Sequence, residues 1–329
     1  MIKTITFTNF KVLRDVTLDL GPVTLLIGPN GSGKSTVLQG LLWMGDRAPK
    51  PSPTVRVSPD EKPLIKVVIE WDQPKGVSCE RGFRNDSWYW QAPKGAGITR
   101  ETLDSLTKDL GGTRFYAFQA ERIAAQVQLQ QNMEMGADGF GLACVLDRLR
   151  DQHPERFEAL NAELARWVPE FDRVLFDTPG TGYRSVILRR RAGGKIPAAD
   201  LSQGTLFALA MLTLAYQAEP PPLICLEEPD HGMHPRLLRD VRDAIYRLAY
   251  PKDFGEVRQA VQVLATTHSP YMLDLFRDHP EEILIARKTE DNVAFERLSD
   301  RADLADILRD THLGDVWYSG ILGGVPAER

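Results

Sequence analysis

The chain has 329 residues, of which 43% are hydrophobic and 26% are charged, and its formal net charge is −5 at pH 7. This composition is that of a globular protein with enough apolar material for a sizeable core. It excludes a general electrostatic affinity for nucleic acid, so any such contact must come from a local patch. No apolar run approaches the roughly 20 residues that are needed to span a bilayer.

Three scattered cysteines, Cys79, Cys144 and Cys225, form no C-x-x-C pair. Cys225 lies in an apolar run and is predicted to be a buried thiol. The first residues alternate like a strand and lack the apolar core of a signal peptide. We therefore expect a reduced, cytoplasmic setting, in which any membrane partner would be a separate chain.

The N-terminal part predicts strands that lead into a glycine-rich turn. Residues 2–8 and 16–20 alternate in polarity and predict two antiparallel strands joined by residues 9–15. Residues 23–27 form a short apolar run typical of a strand buried on both faces. From Lys34 onward apolar residues recur at helical spacing.

The turn itself matches the phosphate-loop spacing G-x-x-x-x-G-K-[ST] in full. Its glycines allow backbone N–H groups to curl around an anion, and the following helix N-terminus adds a favourable field. Lys34 can reach β- and γ-phosphates, and the Ser35 hydroxyl can ligate Mg²⁺. We predict a nucleoside triphosphate site formed by Gly28, Pro29, Asn30, Gly31, Ser32, Gly33, Lys34, Ser35 and Thr36.

The middle of the chain predicts an antiparallel meander followed by helices. A proline-rich stretch, residues 48–63, is predicted to be an exposed loop. Three strands are then predicted over 64–71, 77–83 and 87–91, followed by a helix over 101–110 and a further strand over 113–118. A helical insertion is predicted near 122–172, and a hairpin over 174–191.

A second anion-binding segment is predicted at Leu-Ser-Gln-Gly-Thr, residues 201–205, which precedes an apolar helix over 206–217. Ser202 is well placed to cap that helix, and the helix N-terminus offers N–H groups and a positive field. A plain helix cap is the simpler alternative.

Two carboxylates and a histidine end predicted core strands. Glu227 and Glu228 follow the apolar residues 223–226, at the strand edge where α/β folds bind ligands. Glu227 could hold hydrated Mg²⁺, while Glu228 could orient and deprotonate a water. His268, after a strand over 261–265, could reach the γ-phosphate and that water. The alternatives are an exposed acidic turn and a structural histidine.

These elements in this order resemble the ABC-type ATPase superfamily over nearly the whole chain. The matching segments are Walker A at 28–35, the signature at 201–205, Walker B at 223–228, the D-loop at 230–235 and the switch histidine His268. The opening Asn-Phe-Lys, Glu-Glu-Pro-Asp, Met-His-Pro and Thr-Thr-His-Ser-Pro are similar to the RecF/SMC/OLD-like branch, a group often named simply AAA family ATPases.

The resemblance implies an α/β P-loop NTPase fold with a mostly parallel core sheet, an antiparallel lobe and a helical insertion. It implies one ATPase domain over 1–329, with the Walker A core and antiparallel lobe in 1–121, a helical lobe and hairpin in 122–200, and the remaining motifs in 201–329. ATP is sandwiched between two heads in this branch, so Ser202 and Gly204 of one copy would contact the γ-phosphate held by the other.

Two departures and one open assignment accompany the resemblance. The signature has Gln203 where transporters typically have glycine, and Walker B ends in Glu227 where many relatives have aspartate. The Q-loop glutamine, a metal ligand in this superfamily, is assigned to Gln119 in preference to Gln91. The long heptad region of full SMC arms and the acidic cluster of OLD-type nuclease domains are not found in the sequence.

The sequence therefore predicts an ATPase that uses ATP and Mg²⁺ and forms an ATP-dependent homodimer. Its catalytic residues are Lys34, Glu228 and His268, and its metal ligands are Ser35, Glu227 and Gln119. DNA maintenance or anti-phage defence is the expected setting, with DNA or a separate effector protein as a further partner. The alternatives are the nucleotide-binding subunit of an ABC transporter and a poorly hydrolysing ATP-dependent switch.

Overall fold

The computed structural model describes residues 1–51, 64–288, 293–310 and 312–322. The chain forms two compact units, both discontinuous in sequence. Unit 1 comprises Met1–Phe115, Pro221–Cys225 and Gln259–Arg329, and unit 2 comprises Tyr116–Pro220 and Leu226–Arg258. The single domain with three consecutive parts remains a prediction.

The strands of the described residues are, in chain order, β1 Ile2–Phe10, β2 Leu13–Asp19, β3 Val23–Ile27, β4 Ile65–Trp71, β5 Ser78–Arg84, β6 Ser87–Lys94, β7 Arg114–Tyr116, β8 Val127–Gln128, β9 Phe171–Asp177, β10 Tyr183–Arg190, β11 Lys195–Pro197, β12 Leu223–Glu227, β13 Gln262–Thr267, β14 Ile283–Lys288 and β15 Val293–Arg297. The α-helices are α1 Lys34–Met44, α2 Arg100–Gly111, α3 Ala120–Ala124, α4 Leu142–Gln152, α5 Pro154–Trp167, α6 Gln203–Tyr216, α7 Pro235–Ala249, α8 Pro270–Asp274, α9 Leu304–Asp310 and α10 Leu313–Tyr318. Short 3₁₀ turns occupy Ala198–Asp200, Pro251–Phe254, Pro280–Glu282 and Leu298–Asp300.

A six-stranded sheet with a parallel centre forms the core of unit 1. Its strand order is β15-β14-β3-β13-β12-β7, and the first three residues of β12 belong to this unit. Both β13 and β14 pair with β3 in parallel, while β15 pairs with β14 antiparallel. Every residue of β3 and β13 is buried, which explains their unbroken apolar character.

A five-stranded antiparallel sheet, in the order β2-β1-β4-β5-β6, packs against α1 in the same unit. Gly40 of α1 lies so close to Phe7 of β1 that a Cβ at position 40 would be 2.3 Å from the ring. The ring of Phe10 lies 5.5 Å from that of Trp43, on the same helix. These contacts fix the helix that follows the glycine-rich turn.

A buried amide ties the start of the chain to the core sheet. Gln262 Oε1 accepts a hydrogen bond from the Ile2 N–H at 2.9 Å. Its Nε2 donates to the carbonyl oxygens of Ile2 at 2.7 Å and Gly21 at 3.0 Å. The first residue of β13 thus satisfies backbone groups at β1 and at the entry to β3.

Unit 2 is built around α6, which is buried from Thr205 to Tyr216 and contacts α3, α4, α5 and α7. This burial on all sides matches the uniformly apolar sequence of the helix. A small antiparallel sheet in the order β11-β10-β8, with β9 also paired to β10, completes the unit.

Two predicted connections are wrong, and the structure shows why. Residues 9–15 are mostly strand, because β1 ends at Phe10 and β2 begins at Leu13, after a two-residue turn. Lys11 in this turn has a φ angle of 55°, and Asn9, near the end of β1, has a φ angle of 52°. The predicted helical insertion at 122–172 is interrupted from Ala125 to Gly141, where the chain forms the short strand β8 and turns. The predicted loop at 48–63 lies mostly outside the described residues.

In the part of the chain that the structure describes, no helix is long and apolar enough to cross a bilayer.

Candidate functional site

Glycines determine the conformation of the loop between β3 and α1. Gly31 and Gly33 have φ angles of 74° and 87°, which residues with a Cβ adopt at a cost. A Cβ at Gly28 would lie 2.6 Å from Ser32 Oγ and 2.7 Å from the Ala286 carbonyl oxygen. A Cβ at Gly33 would lie 2.8 Å from Leu13 Cδ2. The backbone curl therefore depends on glycine at these positions.

Lys34 places its ammonium group against the inside of this loop. The side chain is buried, and Nζ donates hydrogen bonds to the carbonyl oxygens of Gly28 at 2.7 Å and Pro29 at 3.1 Å. Ser32 is fully buried, and within the described ranges its Oγ has no hydrogen-bond partner. A buried ammonium, an unsatisfied hydroxyl and a helix N-terminus without a side-chain cap together fit a polyphosphate.

The parallel register brings His268 to the same sheet edge as this loop. Thr267, the last residue of β13, is paired with Ile27, the last residue of β3, so His268 follows the sheet at the level of Gly28. The turn after the histidine is fixed locally. Thr267 Oγ1 accepts a hydrogen bond from the Ser269 N–H at 2.9 Å, and Ser269 Oγ caps α8. His268 itself is half-buried.

Lys288 also lies at the loop, and the sequence did not reveal it. Its Nζ is 3.9 Å from the position that a Cβ on Gly31 would occupy. The register of β14 beside β3 produces this placement, because Ile285 pairs with Ile27 and the strand continues for three residues alongside the loop. In the sequence, Lys288 is only a lysine shortly after the apolar residues 283–286. Its position at the loop follows from the pairing of β14 with β3.

In unit 2 the acidic pair lies at the end of β12. Glu227 is the last residue of the strand, and Glu228 follows with a φ of 46°. The His231 N–H donates to the Glu228 carbonyl oxygen at 3.0 Å, and His231 Nδ1 lies 3.8 Å from Glu228 Oε2. A left-handed backbone at a residue with a Cβ costs about 1–2 kcal/mol. Asn9 and Lys11 near the β1–β2 turn also have positive φ angles, so the backbone of Glu228 alone does not distinguish a functional site from a tight turn.

The signature segment packs against the loop that follows this acidic pair. Ser202 caps α6, as predicted, because its Oγ accepts a hydrogen bond from the Thr205 N–H at 3.3 Å. A Cβ at Gly232 would lie 2.7 Å from the side-chain Cδ of Gln203, and a Cβ at Gly204 would lie 3.4 Å from the Gly232 carbonyl oxygen. Within unit 2, the segments that carry Ser202 and Glu228 are therefore in contact.

Gln119 precedes α3 in unit 2 with an exposed side chain. Its N–H donates to the Asp138 carbonyl oxygen at 3.0 Å. Burial alone would raise the pKa of the Asp138 carboxyl, but hydrogen bonds from the Phe140 N–H and the Arg122 guanidinium outweigh it and lower that pKa. The alternative, Gln91, lies on β6 in unit 1 and accepts a hydrogen bond from Lys94 Nζ at 2.9 Å. The choice of Gln119 remains a prediction.

The predicted metal ligands are chemically suited to Mg²⁺. Ser35 is half-buried in the first turn of α1 in unit 1, and Glu227 is half-buried in unit 2. Hydroxyl, carboxylate and amide oxygens, the last from Gln119, are the hard ligands that Mg²⁺ prefers. Their common role in one metal site remains a prediction.

All three cysteines are free and buried, as expected for structural thiols. Burial raises the pKa of the Cys225 thiol, and it raises the pKa of Cys79 to about 12. Because thiolates are the nucleophilic form, these side chains are unsuited to nucleophilic catalysis.

Comparison with known proteins gives two family matches within this chain. Residues 1–79 match the family described as "AAA ATPase domain". Residues 136–274 match the family described as "AAA domain, putative AbiEii toxin, Type IV TA system". The first match contains the glycine-rich loop, and the second contains the signature segment, the acidic pair and His268.

Individual proteins are similar either to most of the chain or to a short part of it. An OLD nuclease of Thermus scotoductus is 24% identical over 375 aligned positions, which cover 95% of this chain and 68% of that protein. The phosphate import ATP-binding protein PstB 2 of Streptococcus thermophilus is 46% identical over only 54 residues, or 16% of this chain and 21% of that protein. The structure is similar to an SMC head bound to the C-winged helix domain of ScpA, with a TM-score of 0.65 at 15% identity, covering 90% of this chain and 97% of the other.

The chain is thus similar to AAA-type ATPase domains, to an OLD nuclease and, in fold, to an SMC head, in agreement with the resemblance found in the sequence. The predicted α/β fold, with a parallel core, antiparallel strands and added helices, is confirmed by the similarity to SMC heads.

Proposed function

We propose that this chain binds ATP with Mg²⁺ at the loop between β3 and α1 and hydrolyses it. The loop conformation carries the proposal. Three glycines allow the backbone to curve tightly, so that the Lys34 ammonium group and the N-terminus of α1 lie at the same loop. A Cβ atom at Gly28 or Gly33 would clash with neighbouring atoms. A glycine-rich turn with only a structural role would not require a buried ammonium group aimed at its own inner carbonyls.

Each predicted residue has a definite chemical task in this proposal. Lys34 holds the β- and γ-phosphate oxygens by charge-assisted hydrogen bonds. Ser35, Glu227 and Gln119 would hold Mg²⁺, which supplies charge neutralisation at the phosphates. Glu228 orients the attacking water and accepts its proton, and His268 donates a hydrogen bond toward the γ-phosphate as charge develops there.

We further propose that two copies close on ATP, with Ser202 and Gly204 of one copy contacting the γ-phosphate bound by the other. Two observations support this role. Ser202 is exposed at the N-terminus of a 14-residue helix, and its segment packs on the loop that carries Glu228. A closing contact at Ser202 could therefore influence the position of the catalytic carboxylate.

The setting that we favour is DNA maintenance or anti-phage defence in the cytoplasm, with DNA or an effector protein as a further partner. The similarity to an OLD nuclease supports DNA as the partner. The SMC head with a similar fold is bound to the C-winged helix domain of ScpA, which is an example of a protein partner. The buried, unpaired cysteines fit a reducing compartment. The transporter alternative is less favoured, because the similarity of this chain to the phosphate import ATP-binding protein PstB 2 covers only 54 residues.

Equilibrium titration with a fluorescent ATP analogue tests the proposal, combined with a phosphate-release assay. Wild type should bind the analogue, and Lys34→Ala should weaken binding about 100-fold or more, because charge-assisted contacts to phosphate are lost. Lys75→Ala, which removes an exposed lysine from the turn between β4 and β5, is the matched control and should bind normally. Wild type that fails to bind ATP would contradict the proposal, whereas binding without phosphate release would indicate an ATP-dependent switch.

A further inference from the structure

The hairpin formed by β14 and β15 contacts the glycine-rich loop at three points. The Ala286 carbonyl oxygen and Cβ lie 2.7 Å and 2.8 Å from the position of a Cβ on Gly28. Val293 Cγ1 lies 3.6 Å from the corresponding position at Gly33, and Lys288 Nζ lies 3.9 Å from that at Gly31. The hairpin therefore packs along the loop from Gly28 to Gly33.

Strand pairing holds Lys288 in this position. Lys288 is directly opposite Val293 in the β14–β15 register, and Val293 is buried beneath the loop. Ala286 and Lys288 are two residues apart on one strand, so their side chains project from the same face, which is the face beside the loop. The lysine backbone is thus fixed by a buried neighbour, although its side chain is exposed.

The salt bridges that the structure describes near Lys288 are formed by other residues. Arg287, on the opposite face of β14, pairs with Glu296 at 2.6 Å. Among the residues that the structure describes, Lys288 is in no salt bridge. A lysine whose Nζ lies beside the middle glycine of a phosphate-binding loop is in the position of a ligand group.

We propose that Lys288 is a second phosphate-binding ammonium of this site, which contacts the nucleotide polyphosphate from the hairpin while Lys34 contacts it from inside the loop. The inference rests on the proposed ATP binding and adds a residue to that site. Because the Lys288 side chain is exposed, its contact is screened by solvent and should contribute less than that of the buried Lys34.

The test is equilibrium binding of fluorescent ATP and ADP analogues to Lys288→Gln, Lys288→Arg and Lys288→Glu. We expect Lys288→Gln to weaken ATP binding about 5- to 20-fold, and Lys288→Glu to weaken it further through repulsion of the phosphates. Lys288→Arg retains the charge and should stay within about threefold of wild type. Higher salt should reduce the difference between wild type and Lys288→Gln.

Lys75→Gln is the matched control, since it removes one exposed lysine of the same unit from a turn that does not border the loop. Thermal unfolding of each variant shows whether the fold is retained. Affinity of Lys288→Gln within twofold of wild type, or equal affinities of Lys288→Gln and Lys288→Glu, would overturn the inference. If Lys34→Ala still loses binding in that case, ATP binding at the loop stands and only the role of Lys288 falls. Wild type without ATP affinity would instead overturn the proposed function itself.

Discussion

The glycine-rich loop of unit 1 and the acidic and signature loops of unit 2 are built in different ways. The first is a backbone structure, in which glycines exclude side chains and Lys34 is buried at 6% exposure. The second carries its proposed functional groups as half-buried or exposed side chains, Glu228 and Ser202 among them. Its most unusual backbone feature is the positive φ of Glu228.

This difference indicates a division of tasks between the two regions. A rigid backbone cradle suits ground-state binding of phosphates, which needs fixed N–H groups. Exposed side chains on loops suit steps that occur only when a second surface arrives, because their environment can still change. We therefore expect substitutions in the glycine-rich loop to reduce ATP binding, and substitutions in the acidic and signature loops to reduce turnover or assembly.

The largest effect is expected for Glu228→Gln. The amide keeps the size and packing of the side chain but cannot accept the proton of the attacking water, so hydrolysis should fall about 100- to 10,000-fold. ATP affinity should stay close to that of wild type, since the carboxylate acts on the water rather than on the phosphates. Phosphate release under single-turnover conditions measures the rate, and titration measures the affinity.

Glu219→Gln, which removes an exposed carboxylate of unit 2 just before β12, is the control for that variant. It should hydrolyse ATP like wild type. An equal loss of hydrolysis in both variants, or an unchanged rate in Glu228→Gln, would remove Glu228 from the catalytic role.

A smaller effect is expected for His268→Ala. If the imidazole contacts the γ-phosphate mainly during the reaction, hydrolysis should slow about 10- to 100-fold while ATP affinity changes little. This result would show that a residue of unit 1 outside the glycine-rich loop also contributes to turnover. His279→Ala is the control, since it removes an exposed histidine of the same unit, beside Glu281. It should change neither the hydrolysis rate nor the ATP affinity. Parallel losses of affinity and rate, or none in either, would indicate a structural histidine.

Gly33→Ala is expected to change folding stability, a property separate from the rate and affinity considered above. A Cβ there must adopt a φ of 87° and displace Leu13, so the free energy of unfolding should fall by about 2–4 kcal/mol. Gly97→Ala has a similar φ of 73° but no atom within 4 Å of its Cβ, so it should cost only about 1 kcal/mol. Denaturant unfolding compares the two. Equal costs would show that the loop tolerates a side chain and is less rigid than we describe.

Local pattern was enough to predict the elements that carry most of the candidate site. Val23–Ile27, the start of α1 at Lys34 and the apolar part of Leu223–Glu227 agree with their predicted bounds, because apolar runs and helical periodicity are strong signals over short distances. The cap at Ser202 was likewise readable from residue type and position.

What the sequence could not provide depends on distant pairing. Lys288 belongs at the loop only because β14 is in parallel register with β3, some 260 residues earlier in the chain. The contact of Gln203 with Gly232 depends on packing between segments about 30 residues apart. The tight turn between β1 and β2 includes a positive φ angle at Lys11, which no periodicity indicates.

The most direct test of the proposed division is the oligomeric state of Glu228→Gln in Mg-ATP, measured by size-exclusion chromatography with light scattering. We predict that this variant binds ATP and accumulates as a dimer, whereas Glu228→Gln combined with Ser202→Arg still binds ATP but remains monomeric. The arginine would block the contact of the signature segment with the phosphate held by the other copy. A Glu228→Gln protein that stays monomeric with ATP bound, or a dimer indifferent to Ser202→Arg, would contradict the account.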